Sequence, residues 1–570
     1  MVTILPAWMA LAAALVPLLV AAGCALPATR DVARRMLVFA ALPALAAAVL
    51  VPDGTSQIDW LFVGTLVDFD ATGRAFLALS GVIWTAAALY AAAHPPQRPT
   101  WFSGWFALAM AGNLALCCVT DPASFYTFFA MMALPAYALV AHEGDRSAGR
   151  AYMAFTVVGE ALLVCGFFVV GAAAFGIELG PVLGSVGIGL LLAAFGIKIG
   201  AFGLHGWMPV SYAAAPTAAA AALAGSMSKA GVLGLLRFLP GGEREGVAFG
   251  AVVMAFGVAA AFYGAIVGVM QTKPKVVLAY SSISQFGLIT IALGAGLAEP
   301  VVWLLAVTAA TVYAVHHGLA KAALFIGEDI AARTTRRWPA VVGLALPAVA
   351  LAGAPLTSGA VAKLVLKEAT GLAPGAWHGA LETLLPVTAV GTTLLMARFL
   401  YLVATRKAPD APGTRATAPG MLGAGSWMLL LAAVTATLWV WPSADARYAV
   451  EKSLTAHYLW LAVWPILLGC IAAVAVWAAG TMTRRFAGAI PPADMYAPVL
   501  RLADGAAERR DRSVRETPAP QAVPTPVAGR AGSALLDRAG VFEIGFLAWA
   551  TAASAAGALT VLLLLLAARG

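Results

Sequence analysis

Long apolar runs follow one another almost without pause along this chain, each close to the roughly 20 residues that a helix needs to cross the hydrocarbon of a bilayer. Sixteen such runs lie near 4–26, 36–51, 73–93, 101–119, 122–141, 151–175, 183–204, 217–238, 247–270, 276–297, 301–326, 340–366, 383–404, 421–441, 458–480 and 541–568. They leave no stretch in which a soluble catalytic domain could sit. Only 11% of the residues are charged against 62% hydrophobic, too few charges to cover a fold dissolved in water. Lipid is therefore the solvent, and backbone groups that meet no water must bond within helices. The expected class is an all-α polytopic membrane protein.

The loops alternate in charge. Basic ones hold Arg30, Arg34 and Arg35, then Arg98, Arg146 with Arg150, Lys273 with Lys275, Arg333 to Arg337, Arg406 with Lys407, and Arg484 with Arg485. In a sixteen-helix chain all of these fall on one side. The opposite loops are acidic or neutral, such as 52–70 with Asp53, Asp59 and Asp68, and 120–121 with Asp121. The positive-inside rule then puts both termini outside a cell inner membrane, in the periplasm of a Gram-negative cell. The net charge of +8 is read as loop charge, not as a nucleic-acid footprint. The first run has no basic region before it and reads as a retained helix. Residues 483–540, rich in Pro, Arg, Ala and Asp, read as a cytoplasmic linker before a final helix in 541–570. Within the linker the more amphipathic part 493–507 is a candidate docking surface for a neighbouring subunit, or lies at the bilayer interface.

The five cysteines, Cys24, Cys117, Cys118, Cys165 and Cys470, all sit in apolar runs without metal-ligand spacing. No dinucleotide or ATP motif occurs. The expectation is no cofactor, no metal and no redox or hydrolytic site in this chain, so any such chemistry comes from a partner.

Five charges interrupt the apolar runs: Glu160, Lys198, Lys229, Lys321 and Lys363. A charge at mid-bilayer costs at least about 2.5 kcal/mol, so each needs a reason. A lysine near a helix end can snorkel to the interface, and a single salt bridge can pin two helices. Four lysines and one glutamate do not pair off, however. Burial disfavours the charged form of an amine and can bring its proton exchange toward neutral pH, where His205, His316 and His317 also titrate. Gly196, Gly200 and Gly203 surround Lys198, and Gly353, Pro355 and Gly359 precede Lys363. Both places read as interrupted helices, which membranes tolerate where protein or a water-filled cavity satisfies the freed backbone. Close helix packing on glycine is the alternative.

The stretches HGWMPVSYAAAPTAAAAALAGSMSKAGVLGLLRF, QTKPKVVLAYSSISQFG, HHGLAKAALF and PLTSGAVAKL, in that order, resemble the antiporter-like membrane subunits of respiratory complex I, of Mrp-type sodium/proton antiporters and of membrane-bound hydrogenases. The resemblance covers roughly 60–405. It implies about fourteen core helices in two inverted repeats, each with one broken helix, plus about two extra helices at the C-terminal end. The implied divisions are 1–120, a first repeat at 121–240, a second at 241–405, and further helices in 406–482. It also implies proton translocation through Lys198, Lys229, His317, Lys321 and Lys363; the residues themselves add Glu160, the embedded carboxylate, with His205, Lys275 and His316 as possible auxiliary groups. The implied partners are other membrane subunits, with a soluble redox or other enzyme module, and the cargo is H+ or also Na+.

Departures lean toward the Mrp- or hydrogenase-like branch. Ala130 in FFAMMALPAY stands where the family usually has a fifth-helix glutamate, Val210 and Tyr212 replace an acid and a histidine, and Gln285 stands where histidine is frequent. Glu160 is the candidate substitute for the missing carboxylate. Two other readings stay open: a Na+/H+ exchange module, and a transport-inactive anchor for a soluble enzyme.

Overall fold

The computed structural model describes residues 4–62, 64–172, 181–334, 337–406, 420–437, 444–478, 488–498 and 501. The expected final helix at 541–568, most of the linker, and Lys407, Arg484 and Arg485 lie outside the described residues. Helices dominate. They are α1 (Ile4–Ala25), α2 (Arg30–Met36), α3 (Leu42–Leu50), α4 (Ala71–Ala93), α5 (Pro99–Leu116), α6 (Pro122–Val140), α7 (Arg146–Ala172), α8 (Pro181–Ile199), α9 (Trp207–Ala214), α10 (Thr217–Ala222), α11 (Lys229–Phe238), α12 (Arg244–Val269), α13 (Pro274–Ala298), α14 (Trp303–Arg333), α15 (Trp338–Ala352), α16 (Ser358–Thr370), α17 (Ala376–Thr405), α18 (Met421–Ala436), α19 (Ala444–Ser453) and α20 (Ala456–Ala478).

Among the described residues eleven helices are long and apolar enough to cross a membrane, and α8, α15 and α18 contain shorter apolar ones. Large apolar side chains such as Phe168, Leu304, Trp460 and Ile471 point outward, a surface suited to lipid rather than water. The chain is a multi-pass membrane protein. Helices α10, α11 and α13 are enclosed by protein on nearly every side, and among them α11 carries Lys229.

The acidic loop 52–70 holds one feature the apolar pattern did not suggest. Strands β1 (Thr55–Ile58) and β2 (Thr65–Asp68) pair antiparallel, from Thr55↔Asp68 to Ile58↔Thr65. Asp70 and Asp121 then cap α4 and α6, accepting from Gly73 N at 2.7 Å and Ser124 N at 2.8 Å. Arg237 at the end of α11 donates to the same Asp70 at 3.0 Å, tying the helix core to this face.

One order of elements occurs twice. Helices α5, α6, α7, the broken pair α8/α9 and the α10–α11 rod are followed by α12, α13, α14, the broken pair α15/α16 and α17. Each set has five members with a break in the fourth, the order expected of two inverted repeats. The run expected at 340–366 is two helices separated at 353–357, and the run expected at 183–204 ends at Ile199. Gly353, at φ +89°, makes the turn that ends α15. Gly287 lets α13 lie against α12, since a Cβ there would fall 2.5 Å from the Gly257 carbonyl oxygen.

Candidate functional site

At the first break Lys198 sits in the last turn of α8, where the helix dipole favours a cation. Gly200 and Gly203 take φ of +67° and +81°, and the chain resumes helix at Trp207. The Trp207 indole donates to Ile197 O at 2.8 Å, covering one carbonyl that the break frees. The Lys198 amine lies 5.1 Å from the Phe129 ring centroid and 5.9 Å from that of Tyr152. Desolvated cation–π contacts are worth about 2 kcal/mol, close to the lowest cost of a mid-membrane charge. Glu160 shares with Lys198 a cavity of about 20 Å³, room for about one water. The two groups are in electrostatic reach, but among the described residues no direct ion pair joins them, and neither Glu160 oxygen has a hydrogen-bond partner in the protein.

The centre is built around a π-turn, Leu223–Met227, between α10 and α11. Such turns leave a carbonyl without its usual backbone donor. Ala224 O accepts from the Lys229 amine and, at 3.1 Å, from Ser228 Oγ. The Phe286 ring separates Lys229, 5.0 Å from its centroid, from the His317 ring, 5.1 Å away and edge-on. One turn beyond His317, Lys321 donates to Leu278 O at 2.7 Å. Lys229, His317 and Lys321 are wholly buried and in mutual electrostatic reach, and neither His317 ring nitrogen has a protein partner.

At the second break Lys363 lies beyond the gap, in α16, and reaches back to donate to Ala352 O at 2.5 Å. His316 Nδ1 lies 2.8 Å from the hydroxyl of Ser358, the first residue of α16. His316 is within electrostatic reach of both Lys363 and Lys229, so it stands between the centre and this break. Lys363 also faces a cavity of about 120 Å³ whose wall includes Leu288, Thr388, Tyr458 and Pro465.

Three groups therefore form: Glu160 with Lys198, Lys229 with His317 and Lys321, and His316 with Lys363. Two expected auxiliaries stand apart. Lys275 donates to Ala215 O at 3.3 Å and lines a polar cavity with Asp329 and Arg333 near the basic loops. His205 pairs with Asp494 at 2.9 Å, a partner that sequence reasoning missed.

Residues 120–370 match the family model described as NADH:quinone oxidoreductase/Mrp antiporter, TM. NADH-quinone oxidoreductase subunit N of Desulforudis audaxviator is 29% identical over 390 residues, 63% of this chain and 75% of that protein. Hydrogenase-4 component B of Escherichia coli is 28% identical over 237 residues, 38% of this chain but only 35% of that protein. A chain in the structure of the Mrp complex from Dietzia sp. DQ12-45-1b superposes with a TM-score of 0.67 at 21% identity, over 93% of this chain and 62% of that one. The chain is similar to the antiporter-like membrane subunits of these complexes.

The departures from the family pattern occupy defined places. Tyr212 is fully buried, and its hydroxyl bonds to Ser228 beside Lys229. Gln285 bridges α14 and α17, accepting from Tyr313 Oη at 2.6 Å and donating to Thr392 Oγ1 at 3.0 Å. Ala130 adds no polar atom next to the Phe129 ring that Lys198 touches.

Proposed function

We propose that this chain carries protons through the membrane along the file Glu160, Lys198, Lys229, His317, Lys321 and Lys363, with His316 between the last two, as one subunit of a multisubunit complex. The observation that carries the reading is how the amines are held. Lys229, Lys321 and Lys363 rest on backbone carbonyls, which accept a hydrogen bond from an amine in either protonation state. A lysine kept for stability alone would gain more from a carboxylate, because an unpaired buried charge is costly. Glu160 and His317, whose polar atoms have no protein partner, retain hydrogen-bonding capacity for water on either side of a transfer. The complexes named for its relatives suggest the setting: other membrane subunits beside it, and a driving reaction supplied by them.

One observation favours a second reading, a transport-inactive membrane anchor. It is Ala130, which leaves α6 without the family's carboxylate. The test is proton flux in proteoliposomes holding the purified native complex, with the natural chain or Lys229→Ala, each with and without sodium. The expected result is loss of flux by about tenfold or more in an assembled complex. Unchanged flux would make the lysines structural and put the anchor first, and flux that depends on sodium would assign an exchange module.

A further inference from the structure

Residues 488–498 belong to the stretch expected to be linker or a contact for another subunit, yet they pack against this chain's own first break. Gly488 N donates to Met270 O at 2.9 Å and Gln271 Nε2 to Ile490 O at 3.3 Å, so the segment enters beside the α12–α13 loop that carries Lys273. It then turns inward. Asp494 adopts φ +40°, the left-handed region that Asp and Asn tolerate better than other side chains. Its Oδ2 lies 2.9 Å from His205 Nε2 and 2.6 Å from Tyr280 Oη, and the Tyr263 hydroxyl also bonds to the carboxylate. Two residues on, the Tyr496 hydroxyl donates to Gly203 O, a carbonyl within the break, and its ring lies where a Cβ on Gly206 would collide.

A brace alone does not need these groups. The His205 and Asp494 side chains are 0% and 3% exposed, and a buried ion pair is often no more stabilising than apolar residues of similar size. The second imidazole nitrogen, His205 Nδ1, is buried with no protein partner, which costs about 1–3 kcal/mol unless it has a use. A buried acid–base pair and an open ring nitrogen thus meet at the gap between Lys198 and α9, on the basic-loop side.

We propose that Asp494 and His205 form a proton-loading site at the first break, which the 488–497 segment completes and which feeds Lys198. The site rests on the proton-carrying reading above. A proton from basic-side water binds neutral His205, giving an imidazolium held by the Asp494 carboxylate, and the pair passes from a net charge of −1 to 0. The proton then leaves to the Glu160–Lys198 pair, and His205 returns to the neutral form. The titratable groups facing it are Tyr263 from α12, Tyr280 from α13, and Asp494 and Tyr496 from the segment. Burial pushes the Asp494 carboxyl up, but hydrogen bonds to His205, Tyr280 and Tyr263 outweigh it and hold it below the usual carboxylate range.

The test uses the same reconstituted complex, with flux followed across pH by an entrapped pH-sensitive dye. Asp494→Asn is expected to lower flux about tenfold at neutral pH and to move half-maximal flux to lower pH, because an imidazole without its carboxylate needs more acid to hold a proton. Asp494→Glu should restore most of the flux. Tyr496→Phe, which removes a hydrogen bond from the segment but keeps the carboxylate, should stay within about twofold. An unchanged flux and pH profile in Asp494→Asn, beside lost flux in Lys229→Ala, overturns the loading site and leaves the proton file standing. Retained flux in Lys229→Ala removes both. Should Asp494→Asn fail to assemble, His205→Gln is read by the same profile, and an unmoved profile overturns the site equally.

Discussion

The two broken helices place a lysine beside a gap in the backbone, and they do so in opposite order. Lys198 precedes its gap, in the last turn of α8, while Lys363 follows its gap and reaches back to the last residue of α15. The Lys363 amine meets the carbonyl end of α15, where the dipole is negative, while the Lys198 amine lies near the Phe129 and Tyr152 rings. The difference lies in what stands opposite. The first break has carboxylates from two other elements, Glu160 in α7 and Asp494 in the 488–498 segment, while near the second stand His316 and the Ser358 hydroxyl. Glu160 and His317 occupy the same position counted from the starts of α7 and α14. An acid in one half is matched by an imidazole in the other.

Glu160→Gln strikes this contrast hardest. It removes the acid from the lysine's cavity, and flux is expected to fall about a hundredfold, the range of a lost general acid–base group. Full flux in that variant would mean that the asymmetry between the halves has no part in transport. Ser358→Ala strips His316 Nδ1 of its partner in the second half and should slow flux about fivefold in the same vesicles, since a buried group left unsatisfied costs about 1 kcal/mol or more. The glycines at the two breaks separate by stability. A Cβ at Gly359 would fall 1.7 Å from the Ala350 carbonyl oxygen, so Gly359→Ala should destabilise the second break by about 2–3 kcal/mol and lower the thermal midpoint of the complex. Gly203→Ala meets open space at φ +81° and should cost only about 1 kcal/mol, from its left-handed backbone. Equal losses would show the two gaps to be packed alike.

Acid gives the smallest effect. The Asp494 carboxyl is depressed in the folded chain, so the stability it adds is present above the ordinary carboxylate pKa and is lost as pH falls through its lower folded value. Amide exchange of residues 488–497, corrected for intrinsic rate, should therefore quicken only in strong acid, with no matching change at 353–357. Quickening already near neutral pH would point to a different anchor for the segment.

Much of this arrangement was legible in the residues because the membrane makes charge and backbone breaks conspicuous. Glu160, Lys198, Lys229, Lys321 and Lys363 stood out as charges in apolar runs, and Gly200, Gly203 and Gly353 announced the gaps. Only the scarcity of acids in the first half points from the sequence to Glu160 beside Lys198, and packing of α7 on α8 brings them together. The partner of His205 was hidden for a different reason. Asp494 is 289 residues away, in a short segment with no helical or strand period to mark a buried face. The π-turn before Lys229 also left no sign, since Leu223–Met227 reads like any other helical sequence. Four-residue strands in a loop are equally silent.

The odd number of members in each repeated set, expected of two inverted repeats, has a consequence for vectorial work. A machine made of one plan mounted twice, once inverted, presents the same parts to either compartment and by itself rectifies nothing. On the proton-carrying reading proposed above, any preference for one direction must therefore reside in the few side chains by which the halves disagree, such as Glu160 and Asp494, and not in the scaffold that the halves share.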